Sequence, residues 1–262
     1  MDKIDYERWK SAQEHEYKDW TNNQEIVINE FKEGSEKYDA LMKAWATKLS
    51  LSKTSKILDV GCNLTLLSRL FGTGELFGID PLFDKLDRSN LNANFSQNNF
   101  FAGMAENMSM FESGAFDVVF CRNVIDHCMD TNQVLIECKR VLNVEGTIFL
   151  AVYVYSPLIY WLRRITEITG FFVNIMHPHS YTLETFKNQF ITFFEIQEII
   201  EIYSGTNPWD FGKYHSHGSK VEERNRFSVK NSLINLALFI NRFVLLSNYF
   251  VKEILIVGKQ KK

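Results

Sequence analysis

An apolar run closing on an acid and a glycine constrains this chain more than any other feature: Lys56-Ile57-Leu58-Asp59-Val60-Gly61-Cys62-Asn63-Leu64-Thr65. A helical pattern follows, and a second apolar run, Leu76-Phe77-Gly78-Ile79-Asp80, ends on another aspartate 19 residues after Gly61. Two parallel strands joined by a helix put the glycine turn and Asp80 side by side at the carboxyl edge of a sheet. Nucleoside ligands bind at such edges, because glycine lets the backbone approach the ligand and a carboxylate accepts from both ribose hydroxyls. The turn lacks two of the three customary glycines, so the weight falls on the paired strand-end aspartates. Asp80 also reads as a cap for a following helix, a role that suits aspartate.

Strand and helix patterns alternate from Lys56 onward. Strands are expected at 56–60, 75–80, 97–102, 115–121 and 145–154, with helices near 63–72, 82–90 and 131–142. That alternation belongs to a parallel sheet with helices on both faces. Beyond Val154 we expect a helix over 157–169 starting at Pro157, a helix to about Phe190, and strands at 191–202 and 249–257. A polar loop at 203–220 and an apolar helix at 229–247 fall between those two strands. The organisation expected is an amino-terminal helical lid over 1–50 and one domain over 51–262, with substrate-side insertions at 155–190 and 203–248. Within the lid, Trp9, Gln13, Glu16 and Trp20 share one helical face, suited to packing on the domain or closing over its site.

Composition narrows the function. A chain of 262 residues with 45% apolar content can bury a full core, and its 22 phenylalanines serve as core filling. A net charge of -3 without a basic block argues against non-specific nucleic-acid binding, which depends on clustered lysine and arginine. Four cysteines without a C-x-x-C pair, and no signal-peptide pattern, lead us to expect a reduced, cytoplasmic protein. The run at 229–247 is too short and interrupted for a membrane span, which leaves core packing, dimerisation or peripheral membrane contact.

Four further passages fit the strand-edge reading: Gly78-Ile79-Asp80, Gly103-Met104-Ala105-Glu106-Asn107-Met108, Phe116-Asp117-Val118-Val119-Phe120-Cys121-Arg122-Asn123-Val124-Ile125-Asp126-His127, and Glu137-Cys138-Lys139-Arg140-Val141-Leu142. With the glycine turn they resemble, in order and spacing, the class I S-adenosylmethionine-dependent methyltransferases, close to the small-molecule type 11 group. The resemblance runs from about Lys56 to Tyr153. It implies a Rossmann-like, mostly parallel seven-stranded sheet with an antiparallel last strand, and S-adenosylmethionine as cofactor. Carried over residue by residue, it places Asp59, Gly61, Cys62, Asn63, Asp80, Ala105, Glu106 and Asn123 around the cofactor, with Asp80 on the ribose diol. Asn63 and Thr65 depart from the family's glycines; asparagine tolerates a left-handed backbone, whereas β-branched threonine crowds the ligand or starts the helix.

On the acceptor side, His127 follows the fourth strand, where a base is useful to a hydroxyl acceptor. His179 and Tyr181 join it as catalytic candidates. The His177/His179 and His215/His217 pairs suggest a metal, but no cysteine or carboxylate completes a ligand spacing, and none is expected. The His-Pro-His-Ser-Tyr-Thr passage and the amino-terminal helix loosely resemble bacterial methyltransferases of cell-surface sugar assembly. The expected substrate is therefore a small molecule, with a sugar or polysaccharide precursor first and a quinone or lipid-like acceptor second. A nicotinamide dehydrogenase shares the turn and carboxylate but would show a second nucleotide-binding half. A degenerate, non-catalytic cofactor-binding protein accommodates Asn63 and Thr65.

Overall fold

The computed structural model describes residues 4–62, 66–85, 99–169, 177–205 and 249–261. Helix α1 (Tyr6–Lys48) opens the fold; the Asp5 side chain accepts from Arg8 N and caps it. The strands β1 (Lys56–Val60), β2 (Glu75–Asp80), β3 (Phe100–Ala102), β4 (Phe116–Arg122), β5 (Leu142–Tyr155), β6 (Phe194–Gly205) and β7 (Val251–Gln260) form one sheet in the order β3-β2-β1-β4-β5-β7-β6. The first five run parallel. β7 inserts antiparallel between β5 and β6, pairing Phe149 with Val257 on one side and Ile199 with Ile256 on the other. This is the expected Rossmann-like architecture with its reversed strand.

Helices α2 (Thr131–Val141), α3 (Pro157–Thr169) and α4 (Leu183–Phe193) complete the described elements. The helix expected at 63–72 appears as a short 3-10 segment, Leu67–Phe71, while 63–65 lie outside the described residues. Residues 82–85 form turns; the remainder of the helix expected at 82–90, the 229–247 helix and most of the 203–220 loop also lie outside them. α4 runs three residues beyond Phe190, so β6 starts later than the strand expected at 191–202. A reciprocal Thr182–Thr185 capping box fixes the start of α4, and no proline or glycine stops it before Phe194. Among the described residues, no helix is long and apolar enough to cross a membrane.

Period-two side chains give the sheet two apolar faces. Leu58, Val60, Val119, Cys121, Ile148 and Leu150 face α2 and α4, joined by Val134, Leu135, Phe186 and Phe190. Ile57, Val118, Phe120, Phe149, Leu255 and Val257 face the carboxyl-terminal half of α1, where Tyr38, Met42, Trp45 and Ala46 are buried. Trp45 meets Phe149 edge-on at 5.4 Å, and Phe71 meets the same ring at 5.3 Å. Each such ring removes enough apolar surface to contribute about 1.5–3 kcal/mol. The second half of α1 therefore packs into the same core as the sheet.

Two polar clamps hold this frame. On α2, Glu137 Oε2 accepts from Met108 N at 2.8 Å, while Arg140 donates to Glu137 and to the carbonyls of Phe111 and Met108. The E-x-x-R passage thus ties α2 to the loop after β3. Deeper in, Arg122 Nε lies 2.6 Å from Glu253 Oε1, which also accepts from Tyr38 Oη at 2.8 Å. That cluster joins β4, β7 and α1.

Candidate active site

The site sits at the carboxyl ends of β1, β2 and β4. Gly61 leaves β1 at φ +71°, and its N–H donates to Ile79 O at 2.8 Å. A Cβ on Gly61 would stand 2.1 Å from Val124 Cγ2, so the turn and the strand-four loop approach as only glycine permits. Asp80 ends β2 with its carboxylate buried; Oδ1 accepts from Leu82 N at 2.8 Å and so caps the turn at 82–85. Its carbonyl accepts from Gly103 N, which positions the loop after β3. Cys62 is buried below the turn, and burial pushes its thiol up, so it acts as apolar packing. Asn63 and Thr65 lie outside the described residues.

Asp59 turns inward. Its Oδ2 accepts from Ser68 N at 2.8 Å at the start of the 3-10 segment, which orients the turn as expected. Burial raises its carboxyl to about 7, against the opposing pull of the Ser68 hydrogen bonds. Ala105 is buried beneath the loop after β3. Glu106 spends its carboxylate elsewhere: Oε1 accepts from Met129 N at 2.7 Å, tying that loop to the segment before α2. Asn123 adopts φ +52°, and its Oδ1 is buried with no hydrogen-bond partner among the described residues.

A glycine without room for a Cβ, a buried carboxylate on the next strand and an unsatisfied buried amide oxygen form an edge of acceptors beside close-packed backbone. These residues fit an adenosine-bearing cofactor with a ribose diol.

Near this edge, α1, the strand-four loop and the segment before α4 bring four titratable groups together: Glu16, Asp126, His127 and His177. His127 Nδ1 lies 3.2 Å from Glu16 Oε2, and His177 Nδ1 lies 2.9 Å from Asp126 Oδ2. The two imidazole centroids are 4.3 Å apart. Burial alone would lower His127, but Glu16 and Asp126 outweigh it and raise the group to about 9. His177 moves down instead, through burial and the positive His127 beside it. Burial would raise both carboxyls, yet His127 pulls Glu16 and Asp126 below the ordinary carboxylate range. Near neutrality the cluster therefore holds a charged His127 between two carboxylates and a neutral His177. Ligand atoms of Asp126, His127 and His177 lie within 4.8 Å of one another, a spacing open to a cation, though both Nδ1 atoms already face carboxylates.

The Glu16 pair gives stability a pH signature. His127 is raised from its ordinary 6.5, so its contribution is complete below about 6.5 and disappears as pH rises through about 9. Tm is expected to fall more steeply over that window in the wild type than in Glu16→Gln. Parallel pH profiles for the two proteins would remove the ion pair from the account.

The structure places the three catalytic candidates as follows. His127 sits beside Glu16, which with Asp126 raises it to about 9 against burial. His179 is buried and donates from Nε2 to Cys128 O at 2.9 Å, while its N–H reaches Asp126 O, so it braces the strand-four loop. Tyr181 packs against Phe186 at 5.7 Å, and its carbonyl accepts from Tyr155 N. It belongs to the core. Glu16, Asp126 and His177 were not selected as catalytic or cofactor residues; the helical face shared by Gln13 and Glu16 and the His177/His179 pair signalled two of them. Gln13 also lands here, Nε2 to His127 O at 3.4 Å.

Residues 58–150 match the methyltransferase-domain family. The ubiquinone biosynthesis O-methyltransferase of Xanthomonas oryzae pv. oryzae is 27% identical over 115 residues, covering 42% of this chain. The chain spans just under half (48%) of that relative. Among solved structures, the YcgJ protein of Bacillus subtilis is 16% identical, with a TM-score of 0.52 over 84% of this chain and 98% of its own. Geranyl diphosphate C-methyltransferase of Streptomyces coelicolor A3(2), solved with Mg2+, geranyl diphosphate and S-adenosylhomocysteine, is 13% identical with a TM-score of 0.51. It aligns over 84% of this chain and 79% of its own. Sheet order, the Gly61 turn and the Asp80 edge accompany the match of residues 58–150 to a methyltransferase domain, and the fold is similar to that of these solved structures.

Proposed function

We propose that this chain transfers a methyl group from S-adenosylmethionine to a hydroxyl of a small molecule. The observation that carries the reading is the juxtaposition of the Gly61 turn, buried Asp80 and Asn123 at one sheet edge inside the matched segment. When bound, the cofactor supplies a methyl group on a positively charged sulfur. Asp80 would hold the ribose diol, Gly61 and Asn123 would line the chain beside it, and Ala105 would border the adenine. Asp59 holds the turn through Ser68 N.

Two acceptor classes remain as readings. A sugar or cell-surface polysaccharide precursor follows from the His-Pro-His-Ser-Tyr-Thr passage. A quinone-type aromatic hydroxyl is favoured by the relative's stated role in ubiquinone biosynthesis. Mass-spectrometric screening for methylated products with sugar nucleotides and isoprenoid quinone precursors separates them. The four cysteines are free and buried, which supports a reducing, cytoplasmic setting.

Binding tests the cofactor assignment directly. A charge-assisted hydrogen bond is worth about 1.5–3 kcal/mol, so Asp80→Ala is expected to weaken S-adenosylmethionine roughly ten- to a hundred-fold by calorimetry. Equal affinity in the mutant would reduce Asp80 to its Leu82 cap. Tight cofactor binding without turnover on any acceptor would favour a non-catalytic binding protein.

A further inference from the structure

We propose that Asp126, His127 and His177 bind one divalent transition-metal ion of the zinc class, which staples the segment before α4 to the strand-four loop. The proposal goes beyond the methyltransferase reading and stands whether or not the chain binds S-adenosylmethionine.

Two independent observations carry it. The first is convergence: one ligand atom from each of the three side chains lies within 4.8 Å of the other two. Donors about 2.0–2.1 Å from a shared ion stand roughly 2.9–3.4 Å apart, from octahedral to tetrahedral angles. Asp126 Oδ2 and His177 Nδ1 already have that spacing, at 2.9 Å. The second is the state of the polar atoms. Asp126 is 5% exposed, yet its Oδ1 has no hydrogen-bond partner among the described residues, and neither has the buried Nδ1 of His127. Glu16 Oε2 stands 3.2 Å from that Nδ1 without the alignment of a hydrogen bond. Buried polar atoms are paired in the great majority of native structures, so two orphans in one cluster point to a ligand that takes both.

The donor set selects the ion. Two imidazoles and a carboxylate suit zinc and its neighbours, whereas magnesium and calcium take oxygen ligands. Asp126 and Glu16 bring two negative charges to offset a divalent ion in a buried place. The carboxylate that no linear spacing supplied comes from across the fold, 51 residues before His177. Backbone bonds hold the donors in register: His179 N donates to Asp126 O, His179 Nε2 to Cys128 O at 2.9 Å, and His127 N to Val124 O. Ligation through Nδ1 of His177 leaves the opposite edge of that ring and its contacts in place. Imidazole binds a metal through an unprotonated nitrogen, so ion uptake displaces protons that these rings hold in the metal-free chain. Glu16 is a positioning residue: it adjoins His127 from α1, the place of an outer carboxylate that orients a ligating imidazole.

The test uses the full chain freed of metal by dialysis against a chelator. Calorimetry with Zn2+ is expected to show one site per chain, and Tm to rise with Zn2+ concentration. Mg2+ at the same concentrations is expected to do neither. X-ray absorption of the zinc-loaded wild type is expected to show two imidazoles and oxygen at about 2.0–2.1 Å, without sulfur. That measurement needs no variant and so survives any failure of a mutant to fold. Glu16→Gln is expected to weaken zinc about 10–100-fold, and His177→Gln more than that. Absence of zinc uptake by the wild type, sulfur in the coordination shell, or equal binding of Mg2+ overturns the proposal. Unchanged zinc affinity in His177→Gln, or a site lost only when His215→Gln and His217→Gln are combined, overturns it as well.

Discussion

Gly61→Ala is expected to destabilise the fold by about 2–5 kcal/mol and to abolish measurable S-adenosylmethionine binding. Two costs add. An L residue held at φ +71° carries a left-handed penalty of roughly 1–2 kcal/mol. The new methyl would lie 2.1 Å from Val124 Cγ2, and relieving that overlap costs about 1–3 kcal/mol more. Val124 is β-branched and stiff at χ1, so it cannot swing aside. The strand-four loop must move, carrying Asn123, Asp126 and His127 with it. Chemical denaturation of Gly61→Ala, Val124→Ala and the double mutant separates the two costs, because removing the valine side chain relieves only the overlap. A double mutant no more stable than Gly61→Ala would locate the whole effect in the backbone.

Glu253→Ala is expected to cost about 3–5 kcal/mol, the penalty for stranding a buried charge. The glutamate is 3% exposed and its partner Arg122 only 9%, so little water can replace the lost carboxylate. Tyr38 loses the acceptor for its hydroxyl in the same step, which loosens α1 at the sheet. Replacing both charges, as Arg122→Met with Glu253→Leu, is expected to recover most of the loss, because apolar side chains of similar volume need no partner. Urea denaturation of the two variants and the wild type reads this. Equal stability of Glu253→Ala and wild type would show that the pair breaks even with solvation. Asn123 Nδ2 also reaches Glu253, at 3.5 Å, so cofactor affinity is expected to drop alongside stability.

What the sequence made legible follows periodicity. β1, β2 and β4 are short apolar runs with clear punctuation, and they appear within a residue of expectation. The last strand was legible from the apolar run Ile254-Leu255-Ile256-Val257, and its reversal from the family resemblance. The α4–β6 border was misplaced, since Ile191-Thr192-Phe193 suits strand and helix alike and tertiary packing of Phe190 and Phe194 decides it. At the site, Gly61 and Asp80 were legible because the chemistry of each is local. His127 was found, but its charge was not: Glu16 lies 111 residues earlier and Asp126 beside it, and no linear pattern reports their convergence. His179 misled because a histidine in a polar passage looks available, whereas its Nε2–H is occupied by a carbonyl. Glu253 hid inside an apolar strand, where a single acid looks like an edge residue.

The insertion of β7 between β5 and β6 has a consequence for vectorial synthesis. Arg122 leaves the ribosome 131 residues before Glu253, an interval of roughly 7–26 s at about 5–20 residues per second. Once made, β5 and then β6 await β7 as a ladder partner, and Arg122 lacks its acid for the whole interval. The nascent sheet cannot close piecemeal from its amino-terminal side; it waits for a late strand to arrive and zip into a gap. Slowing translation across this interval is expected to lengthen the exposure of those edges and to raise aggregation during expression.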